Sequence, residues 1–462
     1  MIIKKEKRNP RRKPGFKPAA QDEHLSPGLY HFRKQEADLN TRLHLRIDPD
    51  GSGTLVINAS SILHLNPTAT YIAYYHLDGH SQQQIKSILN RVFKLGKDNP
   101  DRDIELIKND LEGFINANGK PVMTQSGVEI NTPFSRHPSA PYRMDLALTY
   151  RCNNDCPHCY NARLRSYPEL TTRDWKKIID RLWDLNIPHL IFTGGEPTLR
   201  EDLIELINYA EEKGQITGLN TNGRRLADPG YVDELVQAGL DHVQITVESH
   251  DPIIHDEMVN RSGAWKQTIT GVKNALASSL FVMTNTTMLE NNQSSLEDTL
   301  DFLDELNVPT IGLNALIYSG RGKDVGTGLP ENSLIPLLTT AQEKTAQTGQ
   351  KLIWYTPTLY CHFNPLEMDL GVKGCTAALY NMCIEPDGGV IPCQSYYHQL
   401  GNILENSWQS IWEHELSLQL RERKNIPGEC QTCSLLEECG AGCPLSYLDE
   451  PRIVEPYIPP HS

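Results

Sequence analysis

Cysteine is spread unevenly along these 462 residues, and that unevenness constrains the chain more than any other feature. Cys152, Cys156 and Cys159 fall within eight residues, none occurs between 160 and 360, and eight more lie between Cys361 and Cys443. The total of eleven is odd and the chain is long, which argues against a disulfide framework. Clustered thiols in a reducing compartment point instead to metal or redox chemistry.

The net charge of −14 argues against nucleic-acid binding by the chain as a whole. Residues 1–24 are the exception. They read as a basic flexible tail, carrying eight Lys or Arg and the acidic Glu6 within the first 18 positions. Prolines and a glycine follow that block where a secretory signal needs an apolar core. No apolar run reaches the roughly 18 residues of a membrane span. The expectation is a cytoplasmic protein without membrane or nucleic-acid partners, and its length suggests about three domains.

Residues 25–118 read as a small α+β domain. Leu43, Leu45 and Ile47 alternate with Arg42, His44 and Arg46 as in a half-buried strand. Asp48-Pro49-Asp50-Gly51 turns the chain into a second strand, Thr54 to Asn58. Three helices follow: one capped by Asn66-Pro67, one opened by the capping box Ser81/Gln84, and one starting at Asp101 or Asp103. The proline-bearing stretch 119–142 reads as a linker. From 143 to 328, short apolar runs alternate with amphipathic helices. The strands are placed at 144–149, 189–193, 217–220, 242–247, 281–287 and 310–313, which predicts a parallel sheet covered by helices. Residues 329–352 read as a bridging helix, 353–450 as an irregular cysteine-rich domain with a hairpin at Asp387-Gly388, and 451–462 as a tail.

Parallel α/β folds place their sites at the carboxyl ends of strands. The loop holding Cys152, Cys156 and Cys159 follows the first strand, and Gly194-Gly195-Glu196-Pro197 follows the second. Three thiolates on so short a loop can hold three corners of a 4Fe–4S cube and leave one iron open for a ligand; a zinc site is the alternative. The two glycines permit close backbone approach, and Glu196 offers a carboxylate to an ammonium group.

These two segments together resemble the radical S-adenosylmethionine (radical SAM) enzymes. The resemblance implies an α/β fold with a partial (β/α)6 TIM-type barrel. It also implies a 4Fe–4S cluster on Cys152, Cys156 and Cys159 whose open iron binds S-adenosylmethionine (SAM). Gly194, Gly195, Glu196 and Pro197 would then cradle the methionine amino group. Asn220, Thr221, Asn222, Thr246 and Glu248 resemble ribose-contacting segments, Arg261 resembles a carboxylate contact, and Tyr160 belongs to the cluster-loop motif.

Cys430-x2-Cys433-x5-Cys439-x3-Cys443 is dense enough to bind metal on spacing alone. With Cys375 and Cys393 upstream, it resembles the SPASM domain, which carries two auxiliary 4Fe–4S clusters. That pattern implies Cys375, Cys393 and Cys443 in the first cluster and Cys430, Cys433 and Cys439 in the second. On the same pattern Cys361 would be the fourth ligand of the first. The family's further cysteine after the quartet is missing here, and Cys383 is left to complete the second cluster or to replace Cys361 in the first.

The N-terminal domain resembles a winged-helix-like recognition element for ribosomally made peptides, through Ile62 to Ala69, Asp78-Gly79 and Ser81 to Val92. The expected function is radical modification of a precursor peptide held by its leader, driven by a flavodoxin- or ferredoxin-type reductant. The alternatives are a radical SAM oxidase or decarboxylase of a small molecule or protein side chain, and a non-enzymatic iron–sulfur carrier or peptide-binding scaffold.

Overall fold

Strand–helix repeats dominate the computed structural model, which describes residues 3–4, 25–36, 39–58, 61–93, 100–116 and 138–447. The expected linker, apart from 138–142, and the C-terminal tail lie outside them, as does the basic tail except for Ile3–Lys4. Two compact units result. One takes in residues 1–131 with 180–188 and 213–216; the other takes in the remainder.

The first unit is an antiparallel sheet, in spatial order β1 (Ile3–Lys4), β2 (Gly28–Glu36), β3 (Leu39–Ile47), β4 (Gly53–Ile57) and β5 (Ser61–Leu65). Helices α1 (Pro67–Leu77), α2 (Gln82–Phe93) and α3 (Asp101–Asn116) follow. Asn66 Oδ1 accepts the Ala69 N–H at 2.8 Å, and Ser81 and Gln84 exchange reciprocal bonds, so the two expected caps form. Leu43, Leu45 and Ile47 enter the core with Leu55 and Ile57. The opposite face of β3 differs from expectation: Arg42, His44 and Arg46 are buried too. Arg42 donates to the Gly214 and Gln215 carbonyls, His44 Nε2 lies 2.7 Å from the Gly214 carbonyl, and Arg46 pairs with Asp48. The face is tolerated because both arginines and one ring nitrogen of His44 find partners.

The second unit is built on a ten-stranded sheet. Its repeats are β6 (Arg143–Thr149), α4 (Thr172–Asp184), β7 (His189–Gly194), α5 (Leu203–Lys213), β8 (Ile216–Thr221), α6 (Pro229–Gln237) and β9 (His242–Thr246). They continue with α7 (Pro252–Met258), α8 (Ala264–Leu276), β10 (Phe281–Thr287), α9 (Leu296–Glu305) and β11 (Thr310–Asn314). These six strands are adjacent in chain order, the arrangement of a partial barrel. The expected bridging helix is α10 (Glu331–Thr348), but its segment closes in a further strand, β12 (Lys351–Trp354), parallel to β11. Four residues are too few for their periodicity to register in a sequence.

On the other edge, β13 (Asn381–Ile384) pairs parallel with β6, and β14 (Gly389–Ile391) and β15 (Gly401–Asn402) continue antiparallel. Asp387-Gly388 makes the β13–β14 turn, with Gly388 at φ 89°. Short helices α11 (Trp408–Trp412), α12 (Glu415–Arg421) and α13 (Leu436–Cys439) complete the cysteine-rich part.

Candidate active site

At the carboxyl ends of the barrel strands the second unit encloses a cavity of about 1090 Å³. Cys152, Cys156 and Cys159 line it from the loop after β6, and Tyr160 follows directly. Gly194 and Gly195 line it from the end of β7, Asn220, Thr221 and Asn222 from β8, and Thr246 and Glu248 from β9. Cys375, Cys393 and Cys443 line the same cavity. Residues of both cysteine groups, separated by more than 200 positions in the chain, therefore share one space.

The cysteine loop is held by its non-cysteine residues. Asn222 Nδ2 donates to Asn153 Oδ1 at 2.6 Å; Arg224 donates to the Asn153 carbonyl at 2.6 Å and to Asn154 Oδ1 at 2.9 Å. Arg261 Nε donates to the same Asn153 carbonyl at 3.0 Å and is not among the cavity-lining residues. Arg165 and Arg321 both pair with Asp155. Arg224 escaped the sequence reading, although its position immediately after Asn222-Gly223 was a usable signal.

Gly194 and Gly195 accommodate the chain rather than a side chain of their own. A Cβ on Gly194, at φ 134°, would stand 2.1 Å from the Thr149 carbonyl, and one on Gly195 would stand 2.4 Å from the Arg151 carbonyl. The Gly195 N–H donates to Thr149 at 2.7 Å and the Glu196 N–H to Arg151 at 2.8 Å, so the end of β7 is fastened to the start of the cysteine loop.

Glu196 and Pro197 are not among the cavity-lining residues. The Glu196 carboxylate is fully buried. It accepts from the Thr198 N–H and hydroxyl, the Thr221 hydroxyl and the Asn222 N–H, at 3.1, 2.6, 2.7 and 2.8 Å. Burial pushes its pKa up, against four hydrogen bonds that favour the anion. Glu248 Oε1 stands 3.1 Å from His158 Nε2, and its Oε2 accepts the Thr287 N–H at 2.9 Å. Tyr160 donates to Gln394 at 3.2 Å. Arg163 binds the buried Glu385 carboxylate at 2.7 and 3.0 Å.

The donors suit soft metal ions. Burial raises the Cys152 thiol to about 11 and Cys393 to about 12, and raises Cys156 and Cys443 as well. Iron would displace these protons, since thiolate is the ligand form. Among the described residues, no three His, Cys, Asp or Glu side chains converge on a single ion. A cube spreads its thiolates wider than a lone zinc does.

Comparison with known proteins gives a match to the Radical SAM superfamily over residues 146–303 and to SPASM, an iron–sulfur cluster-binding domain, over residues 375–434. The chain carries a radical SAM domain followed by a SPASM domain. It is accordingly an enzyme of SAM and iron–sulfur chemistry, and the radical SAM domain coincides with the β6–α9 repeats that surround the cavity. The chain is similar to the AdoMet-dependent heme synthase of Methanosarcina barkeri, 27% identical over 69% of this chain and 96% of the relative. It is also similar to the PqqA peptide cyclase of Rhizobium meliloti, 27% identical over 66% and 82%. Its fold is similar to that of Streptococcus suis SuiB bound to precursor peptide SuiA, with a TM-score of 0.66, 17% identity, and 87% of this chain and 94% of that one covered. The fold is also similar to that of anSMEcpe with bound AdoMet and a Cp18Cys peptide, with a TM-score of 0.53, 18% identity, and 66% of this chain and 89% of that one covered. Among the described residues no helix is long and apolar enough to cross a membrane.

Proposed function

We propose that this enzyme modifies a ribosomally made peptide in the cytoplasm, removing a hydrogen from a core residue before cross-linking or oxidation. The observation that carries the reading is the shared cavity: the triad Cys152, Cys156 and Cys159 and the SPASM thiols Cys375, Cys393 and Cys443 line it together. Cys152, Cys156 and Cys159 would hold a cluster that, when reduced, would supply the electron for cleavage of SAM to methionine and a 5′-deoxyadenosyl radical. The chain's own residues prepare the space. Arg224 and Asn222 fix the loop that presents the thiols, and Gly194 and Gly195 bring β7 against it. Asn220, Thr221, Thr246 and Glu248 offer polar groups to the nucleoside.

Similarity to a peptide cyclase and to a precursor-peptide-bound fold supports a peptide substrate. The first unit supplies a place for a leader. Among the described residues β5 is a terminal strand of its sheet, and β1 covers β2 only opposite Arg33 and Lys34, so an extended peptide could add a strand at either edge. A flavodoxin- or ferredoxin-type protein would deliver electrons. Similarity to the heme synthase supports a second reading, oxidation or decarboxylation of a small molecule.

The test is anaerobic reconstitution, which should load about twelve irons per chain for three cubes. Dithionite and SAM should then yield 5′-deoxyadenosine. A peptide encoded beside this gene should leave the reaction lighter by the hydrogens lost. Deoxyadenosine formation with no change in any such peptide would favour the small-molecule reading. A fully loaded protein that makes none would be an iron–sulfur carrier.

A further inference from the structure

We infer that Cys361 is the fourth thiolate of the auxiliary cluster held by Cys430, Cys433 and Cys439, far upstream of all three. The inference rests on the reading that the SPASM domain holds two clusters, and it differs from the expectation that assigns Cys361 to the first.

The C-terminal cysteines separate by position. Cys375, Cys393 and Cys443 line the cavity, whereas Cys361, Cys430, Cys433 and Cys439 are not among its lining residues. The segment leading into Cys361 is bound to one of the latter group. The Tyr360 N–H donates to Cys439 Sγ at 3.4 Å, and Cys439 Sγ donates to the Thr358 carbonyl at 3.5 Å. A Cβ on Gly442 would come within 3.2 Å of the Thr358 backbone, so the two segments pack main chain to main chain. Glu331 anchors the same loop by accepting the Leu359 N–H at 3.2 Å and meeting His362 Nδ1 at 2.9 Å.

Cys383, the other unassigned thiol, lies elsewhere. It sits on β13, 1% exposed, packed with Ala147, Tyr150 and Ile391. Cys361 thus stands where it can supply, from upstream, the fourth thiolate beside Cys430, Cys433 and Cys439. Cys375, Cys393 and Cys443 remain as the cavity-lining thiols of the other cluster.

Cys361 is exposed, so its protection from alkylation reports ligation and not burial. The experiment uses the full chain with Cys152, Cys156 and Cys159 changed to Ala, reconstituted with iron and sulfide. About eight irons per chain show that both auxiliary cubes are present, and a far lower count defeats the two-cluster reading itself. Iodoacetamide labelling of Cys361 is then read by peptide mass spectrometry. In a further Cys375→Ser/Cys393→Ser chain, Cys361 should stay protected by the remaining cluster. In a Cys430→Ser/Cys433→Ser chain it should label as fast as in the iron-free protein. Labelling in the first, or protection in the second, overturns the assignment. Should either chain fail to fold, Cys361→Ala alone answers the question: under chelator, Cys430, Cys433 and Cys439 should become labelled before Cys375, Cys393 and Cys443. The reverse order, or no order, overturns it.

Discussion

Glu196 Oε2 accepts the backbone N–H of Asn222 at 2.8 Å, which ties the end of β7 to the end of β8 through a fully buried carboxylate. All four groups directed at that carboxylate are donors. Glu196→Gln would turn an amide N–H₂ toward them and leave buried donors unmatched, at a cost of about 1–3 kcal/mol. We expect a lower melting temperature and weaker SAM binding by calorimetry. Unchanged values for both would show that the carboxylate does not set this geometry.

Arg224 controls the cysteine loop through Asn153 and Asn154. Arg224→Ala should reduce iron at the triad, taking the chain from about twelve irons toward about eight while the auxiliary clusters stay filled. Iron analysis combined with the spectrum of a triad-deleted chain distinguishes the two. Arg224→Lys should recover only part of the loading, because an ammonium lacks the planar fork.

Arg163 neutralises Glu385, whose carboxylate is 0% exposed and also accepts the Tyr150 hydroxyl at 3.1 Å. Removing one partner of a buried pair costs about 3–5 kcal/mol. Arg163→Ala should therefore lower thermal stability sharply, and Arg163→Met/Glu385→Met should restore most of it. Equal losses in the single and double variants would refute the pairing as the cause.

The first unit should weaken in acid. Burial, with Arg42 and Arg33 adding to it, pushes His31 down to about 3; burial, with His31 and Arg42 adding to it, pushes His44 far down. Unfolded, both bind protons near pH 6.5, so below that the unfolded state holds more protons than the folded one. The contribution is complete above about pH 6.5 and lost as pH falls toward 3, by about 1.4 kcal/mol per pH unit for each histidine. Hydrogen exchange in β2 to β4, corrected for intrinsic rates, should accelerate between pH 7 and pH 5 more in the parent than in His31→Asn/His44→Asn.

The strand–helix repeats were legible because each apolar run from β6 to β11 is followed by an amphipathic helix. β2 was not: Phe32 and Lys34 share its buried positions, and the lysine masks the alternation. α7, seven residues long, is too short for periodicity to show. At the site, types and spacing revealed the cysteine triad and the segment after β7. They did not reveal that Glu196 is spent on Thr198, Thr221 and Asn222, or that Cys439 meets the segment before Cys361. Such pairings join residues far apart in sequence, and no local pattern encodes them.

β13 hydrogen-bonds to β6 from Asn381 opposite Arg143 to Ile384 opposite Leu146, and β6 is the strand that delivers the cysteine loop. Cutting the chain between the barrel and its cysteine-rich extension would strip that neighbour away. The stretch Met144 to Leu148, apolar but for Asp145, would become an unprotected sheet margin, a template for intermolecular pairing. The extension is therefore no detachable appendage, and a truncated barrel should precipitate rather than survive as a simpler catalyst.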